Sequence, residues 1–283
     1  MVHFIFLLSF IAPVAFSDCK PLLSSLAPKT REVVHQEIIS DLQNGNITEV
    51  KIKRLNGNTH DLWFVTLYNP ETQRTRTALM KPREWGDHDG WARAPMEWVA
   101  YRLNRLLGMD YIPPTVYRYG FRANGHWIYE APLILFVPEA ETLFETEPTT
   151  WGQSKEAIQS DHRILCVLLH NQDGHKRNLL LGRHWTEDRS APVFIDFGAS
   201  LRKGTHITLS QYPAFGNTEP VSTIRKSTYL ALKNLSHQAL TEFSQHLTNE
   251  EIAGILKRRD GILAYFDQLL EAQGSSKVFI PES

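Results

Sequence analysis

Apolar residues in this chain keep one spacing as far as Pro138 and another beyond it. Before that point, short runs alternate or are rich in aromatic and β-branched residues, at 49–55, 62–68, 75–81, 115–119 and 126–136. Val50 and Ile52 share one face of the first run, and Asn56-Gly57 before the second reads as a hairpin turn. Thr30 can cap a helix in which Val34, Ile38 and Leu42 recur, ended by Asn44-Gly45-Asn46. Residues 95–107 form an inserted helix with Met96, Val99, Leu103 and Leu107 on one face, closed by Gly108. Beyond 138 the spacing is three and four: residues 155–170, then Tyr229, Leu232 and Leu235, then Leu240, Phe243 and Leu247. Thr248-Asn249-Glu250-Glu251 is a capping box ahead of a last helix carrying Ile252, Ile255, Leu263, Phe266 and Leu270, weakened by Gly254 and Gly261. Short strands at 179–181 and 193–196 sit within this half. An antiparallel sheet followed by a helical half predicts an α+β fold of two lobes, and ligands collect in clefts between lobes.

Composition narrows the function classes. The 283 residues are 42% hydrophobic and 22% charged, which suits a globular chain and neither a disordered nor a polytopic membrane one. A net charge of -1 disfavours nucleic-acid binding by counterion release. Two cysteines exclude a disulfide scaffold and any multi-cysteine metal site. Residues 4–16, FIFLLSFIAPVAF, carry no charge and are too short for a membrane span, which takes about 20. They fit the apolar region of a secretory signal, with Ala15 and Ser17 at the small positions before Asp18; a buried N-terminal strand or helix is the alternative. Residues 1–17 are therefore expected to be a signal peptide on an exported protein, with an N-terminal lobe at 18–138 and a catalytic lobe at 139–283. Export would allow Cys19 and Cys166 to pair, although Cys166 in the run ILCVLL reads as a small buried side chain. The mature chain shows no basic or amphipathic stretch for docking on a membrane.

The densest polar run is Asp173-Gly174-His175-Lys176-Arg177-Asn178, with Asp196 18 residues beyond Asn178 in VFIDFG. Phosphoryl transfer from a nucleotide needs a carboxylate at the acceptor hydroxyl, oxygen ligands for Mg²⁺ or Mn²⁺, and a cation on the phosphates. Asp173 can be the first, while Asn178 and Asp196 offer a neutral and a charged oxygen to a hard cation. The strand, turn and strand between them would bring those two ligands together, and Gly198 would let the backbone turn after Asp196. Alone, each residue reads as a turn, a strand end or a structural imidazole.

In order and together, D-x-H-x-x-N and I-D-F-G resemble atypical kinases: phosphatidylinositol 3- and 4-kinases in the DFG, HipA-type kinases in the DGHxxN, and the secretory-pathway casein kinase and four-jointed group in the surrounding frame. The His follows the Asp here, unlike the H-R-D order of ordinary protein kinases. The run from Glu97 to Val116, E-x-x-A-Y-R-L-x-R-L-L-G-x-x-x-x-P-P-T-V, is similar to the helix and following strand of the secreted and HipA-like kinases. What the resemblance implies is a two-lobed kinase-like fold binding ATP with Mg²⁺ or Mn²⁺. Lys81 would clamp the phosphates and Glu97 would hold Lys81. The stretch ILFVPE would present Phe136, Val137 and Pro138 to adenine. Asp173 would be the base, His175 would brace its loop by bonding the DFG backbone, and Asn178 and Asp196 would hold metal. The acceptor would be a protein Ser or Thr, next a glycan. A pseudokinase scaffold, a lipid-headgroup kinase and a nucleotidyl transferase are the competing readings.

The match runs from about 75 to 270, with two departures. LNGNTH carries a single glycine where a phosphate-covering loop would be richer, and the cysteine pattern of the animal secretory members is absent. Asp87, His88 and Asp89 in EWGDHDGW could hold a metal but suit a solvated acidic loop. The other histidines have no ligand spacing, and no nucleophile elbow supports hydrolysis.

Overall fold

The computed structural model describes residues 30–53, 62–82, 93–171, 173–201 and 221–281, and Arg31–Ser283 form one compact unit. Helix α1 (Arg31–Asn44) leads into strands β1 (Asn46–Lys53), β2 (Leu62–Asn69) and β3 (Arg74–Met80). Helix α2 (Pro95–Leu106) follows, then β4 (Thr115–Ala123) and β5 (His126–Leu135). The five strands make one antiparallel sheet in the order β1-β2-β3-β5-β4. Alternation decides its buried face. Val65 and Leu67 on β2, Ala78 and Met80 on β3, and Ala131 and Leu133 on β5 are fully buried with Ile38 and Leu42 of α1. Asp41 ties α1 to the β2–β3 turn by accepting from Asn69, Thr72 and Arg76.

Past β6 (Glu141–Thr142) the chain is mainly helical. Ser154 caps α3 (Lys155–Leu168) by accepting from the Ala157 amide, and α3 runs buried on nearly every side. The hairpin β7 (Leu179–Arg183) and β8 (Ser190–Phe194) joins β6 in a second antiparallel sheet. Two-residue strands β9 (Ile224–Arg225) and β10 (Phe279–Ile280) pair in parallel; they are too short for any period to reveal them. Between them lie α4 (Lys226–Asn234), α5 (Asn249–Gln273) and α6 (Ser275–Val278). The capping box forms at the start of α5 with both of its bonds, and neither Gly254 nor Gly261 breaks the 25-residue helix. The Leu240–Leu247 pattern is realised as a 3-10 turn, Thr241–Gln245.

The placement of α2 is the main departure from sequence order. Met96, Val99 and Leu103 join the larger core built by Ile158, Leu165 and Leu168 of α3 and Ile252, Ile255 and Phe266 of α5. A helix inserted between sheet strands thus gives its apolar face to the core of the helical half while still lying against β4 and β5. The readings of residues 1–17, Asn56-Gly57, LNGNTH and Asp87-His88-Asp89 lie outside the described residues. Among the described residues, no helix is long and apolar enough to cross a membrane. Cys166 is fully buried with its Sγ 3.5 Å from His162 Nε2.

Candidate active site

Lys81 follows β3 directly, so the central position of that strand carries its ammonium into the region between sheet and helical half. Pro95 at the first helical position starts α2, and Glu97 lies in the first turn, 3% exposed. Lys81 Nζ lies 2.5 Å from Glu97 Oε1 and 2.9 Å from Asp196 Oδ1. The second oxygen of Glu97 accepts from the Phe197 amide at 3.2 Å. One buried carboxylate therefore fixes both the lysine and the backbone of the DFG segment. Burial works against the Lys81 charge, but the carboxylates of Asp196 and Glu97 outweigh it and hold the pKa above its ordinary value.

The β7–β8 hairpin sets the other side. Leu179 pairs with Phe194, and the Ile195 amide donates to the Asn178 carbonyl at 3.0 Å, which puts residue 178 beside the segment leading to Asp196. Asn178 is 6% exposed, and its side-chain nitrogen donates to the Asp173 carbonyl at 2.8 Å, leaving its amide oxygen as the acceptor end. The left-handed residue of the turn is Asp196 itself, at φ 65°, rather than Gly198. Aspartate tolerates that conformation better than most residues, at a cost on the order of 1 kcal/mol. The Gly198 carbonyl accepts from the Arg93 amide at 3.0 Å. Asp173 is partly buried, and burial together with the charge of Asp196 pushes its carboxyl above the usual carboxylate range.

His175 sits differently from its expected place. Its ring is half exposed, with Nε2 3.5 Å from Asp173 Oδ1. The bonds to the DFG backbone come instead from Glu97, which accepts from the Phe197 amide, and from the Arg93 amide, which donates to the Gly198 carbonyl. What braces the Asp173 loop is Asn171, 1% exposed, whose Oδ1 accepts from the Asp173 amide at 3.0 Å. Sequence reasoning missed Asn171, although an Asn two residues before a loop Asp is the pattern of an Asx turn.

The run from Ile134 connects the two halves. Ile134 and Leu135 end β5, and the Phe136 amide donates to Thr77 O at 2.9 Å. Pro138 has no N–H to offer. The Phe136 ring, 40% exposed, meets Phe64 edge-on at 5.3 Å. Val137 packs on β7 at Gly182, where an added Cβ would lie 2.6 Å from Val137 Cγ1. Only glycine lets the connecting segment sit this close to β7.

Asn178 and Asp196 offer oxygen ligands only, which would suit a hard divalent cation and not zinc. Among the described residues, no group of three or more His, Cys, Asp and Glu could hold a metal ion. Burial first, and the neighbouring charge of Asp196 second, push the Asp173 carboxyl up; a divalent cation between the carboxylates would offset the second of these.

No family model matches the chain, and neither does any curated protein. Among solved structures, that of hydra Fam20 with sugar is similar at a TM-score of 0.60 and 15% identity, over 88% of this chain and 93% of that one. The chain therefore has a two-lobed, protein-kinase-like α+β fold: an antiparallel sheet lobe with one inserted helix and a mainly helical lobe.

Proposed function

We propose that the chain is an ATP-dependent phosphotransferase that moves the γ-phosphoryl group to a hydroxyl. The observation that carries this reading is the Lys81 ammonium held between Glu97 and Asp196, with Asp173 and Asn178 on the adjoining loop. Lys81 would bind the phosphates. Glu97 would keep its amine in place, and the segment Phe136-Val137-Pro138 would border adenine. Asp173 would orient the acceptor hydroxyl and take its proton as the new O–P bond forms. The γ-phosphorus–oxygen bond of ATP breaks in the same displacement, and its electron pair leaves with ADP. His175, beside that carboxylate, would help hold its charge. Asn178 and Asp196 would hold Mg²⁺ or Mn²⁺, which supplies charge neutralisation on the phosphates when bound.

Two acceptor classes fit: a protein Ser or Thr, and a glycan hydroxyl, the latter supported by the sugar in the hydra Fam20 structure. The lobes would divide as 18–138 and 139–283, with residues 1–17 a signal peptide directing export. Mass spectrometry of the mature N-terminus tests the last point, since a chain beginning at Met1 would retire it.

The central test is a thermal-shift titration with ATP and Mn²⁺, followed by transfer from γ-labelled and α-labelled ATP onto protein and glycan acceptors. Wild type should transfer the γ label and Asp196→Asn should not; asparagine keeps the left-handed backbone available. Stabilisation by nucleotide without transfer would establish a pseudokinase scaffold, and transfer of the α label a nucleotidyl transferase.

A further inference from the structure

Helix α2 must stay seated for Glu97 to reach Lys81, and its two ends are held by different parts of the chain. Its C-terminal half is tied to α1. His35 Nε2 lies 2.6 Å from the Tyr101 hydroxyl, and Arg105 pairs with Glu32 at 2.8 Å. The start of the helix, which carries Glu97, and its middle as far as Arg102 are gripped from the helical lobe by residues 240–251. Arg93, just ahead of α2, pairs with Glu251 Oε1 at 2.6 Å, while the other oxygen of Glu251 accepts from the Thr248 amide. Arg102 binds Glu242 through both Nε and Nη2, at 3.2 and 2.9 Å to Oε2. Trp98, one turn before Arg102, meets Phe243 at 5.8 Å and His246 at 5.2 Å, both edge-on. His246 also packs on Tyr117 and Tyr119 of β4, at 4.5 and 6.3 Å between centroids.

We infer that residues 240–251 are a built-in brace that keeps α2 engaged, with Glu97 on Lys81, without help from a second protein or a modification. In kinase-like sites the lysine–glutamate pair must be in place for turnover, and movement of its helix is a common switch. Here the outer face of that helix is already occupied by one segment of the same chain, contacting it at Arg93, Trp98 and Arg102. Arg102, Trp98, Glu242 and His246 are positioning residues in this account. It rests on the phosphotransferase reading only for its effect on turnover.

The test uses charge reversal at the bidentate pair, whose two side chains are 39% and 32% exposed, so that folding is little affected. Hydrogen exchange over residues 95–106 and the kinetic constants are measured for Arg102→Glu, Glu242→Arg and the double reversal, with Glu242→Gln as a milder variant. Each single reversal should speed exchange in α2 about tenfold and lower kcat about fivefold with the acceptor KM unchanged. The double reversal should restore both. Unchanged α2 exchange in the single variants, or a double variant no better than its parents, would overturn the brace. A wild type that transfers no phosphoryl would retire the enzymatic reading alone, because the exchange data still judge the brace.

Discussion

Among the described residues, the ionic clusters around Asp161 and around Lys81 are built on opposite plans. Around Asp161, 0% exposed, every acceptor is taken: Oδ1 by Thr228 at 3.0 Å, Oδ2 by Tyr111 at 2.8 Å and Arg225 at 2.6 Å. The Tyr111 ring stacks on Phe194 at 4.4 Å, and the Arg225 guanidinium lies over it at 5.6 Å. Around Lys81, two carboxylates crowd one ammonium, a third carboxylate is pushed up by burial and by the charge of Asp196, Asp196 is 47% exposed, and its backbone is left-handed. The first cluster takes up both oxygens of its carboxylate and joins α3, β9 and α4. The second keeps exposure, like-charge repulsion and strain, which a self-contained structural network has no reason to retain.

Substitutions can break that contrast. The largest effect is expected from Asp173→Ala, which should lower phosphoryl transfer on the order of 10³-fold while the ATP-induced thermal shift persists. Equal turnover in that variant would remove the functional reading of the open cluster. Asp161→Ala should cost about 3–5 kcal/mol in urea denaturation, because it removes the carboxylate that balances the buried Arg225 charge. A loss under about 1 kcal/mol would show that the closed cluster is not structural.

A pH experiment sharpens the same contrast next to Asp161. Burial holds His162 neutral, with its pKa lowered to about 3. The unfolded chain takes up the proton near pH 6.5 while the folded chain does not, so stability falls as pH drops from there toward 3. The slope from this group approaches about 1.4 kcal/mol per pH unit, and His162→Asn should flatten it. The smallest effect belongs to Asp196→Asn. Its folding stability should stay within about 1 kcal/mol of wild type, since the side chain is half exposed and the lysine keeps Glu97. A much larger loss would make the open cluster a structural one as well.

Much of the architecture was legible in local pattern. Alternation in the first run, and strand-like composition in the others, marked the five strands of the main sheet to within a few residues. The 3.6 period marked α1, α2, α3 and α5, and the Thr248–Glu251 box marked where α5 begins. The polar residues later found together were visible as Asp173 through Asn178 and Asp196, because one hairpin of short strands separates them. Asn171 left an Asx-turn trace that was passed over. Residue type points to Gly198 for the turn after Asp196, whereas the left-handed residue is Asp196 itself, flanked by the Phe197 amide donating to Glu97 and the Arg93 amide donating to Gly198. His175 could not be placed by pattern, since its position depends on a loop held by Asn171 and Asn178.

By itself the sequence determined the order and kind of the longer elements and the set of oxygen-bearing side chains, because periodicity, caps and short hairpins are written within a few residues of one another. Only the tertiary structure decided that α2 belongs to the core of the helical half and is gripped by residues 240–251. The pairs that do this, Arg93 with Glu251 and Arg102 with Glu242, lie 158 and 140 residues apart, as the Lys81–Asp196 pair lies 115 apart. Contacts at such separations follow from how whole faces bury against each other, and no local spacing of residues records them.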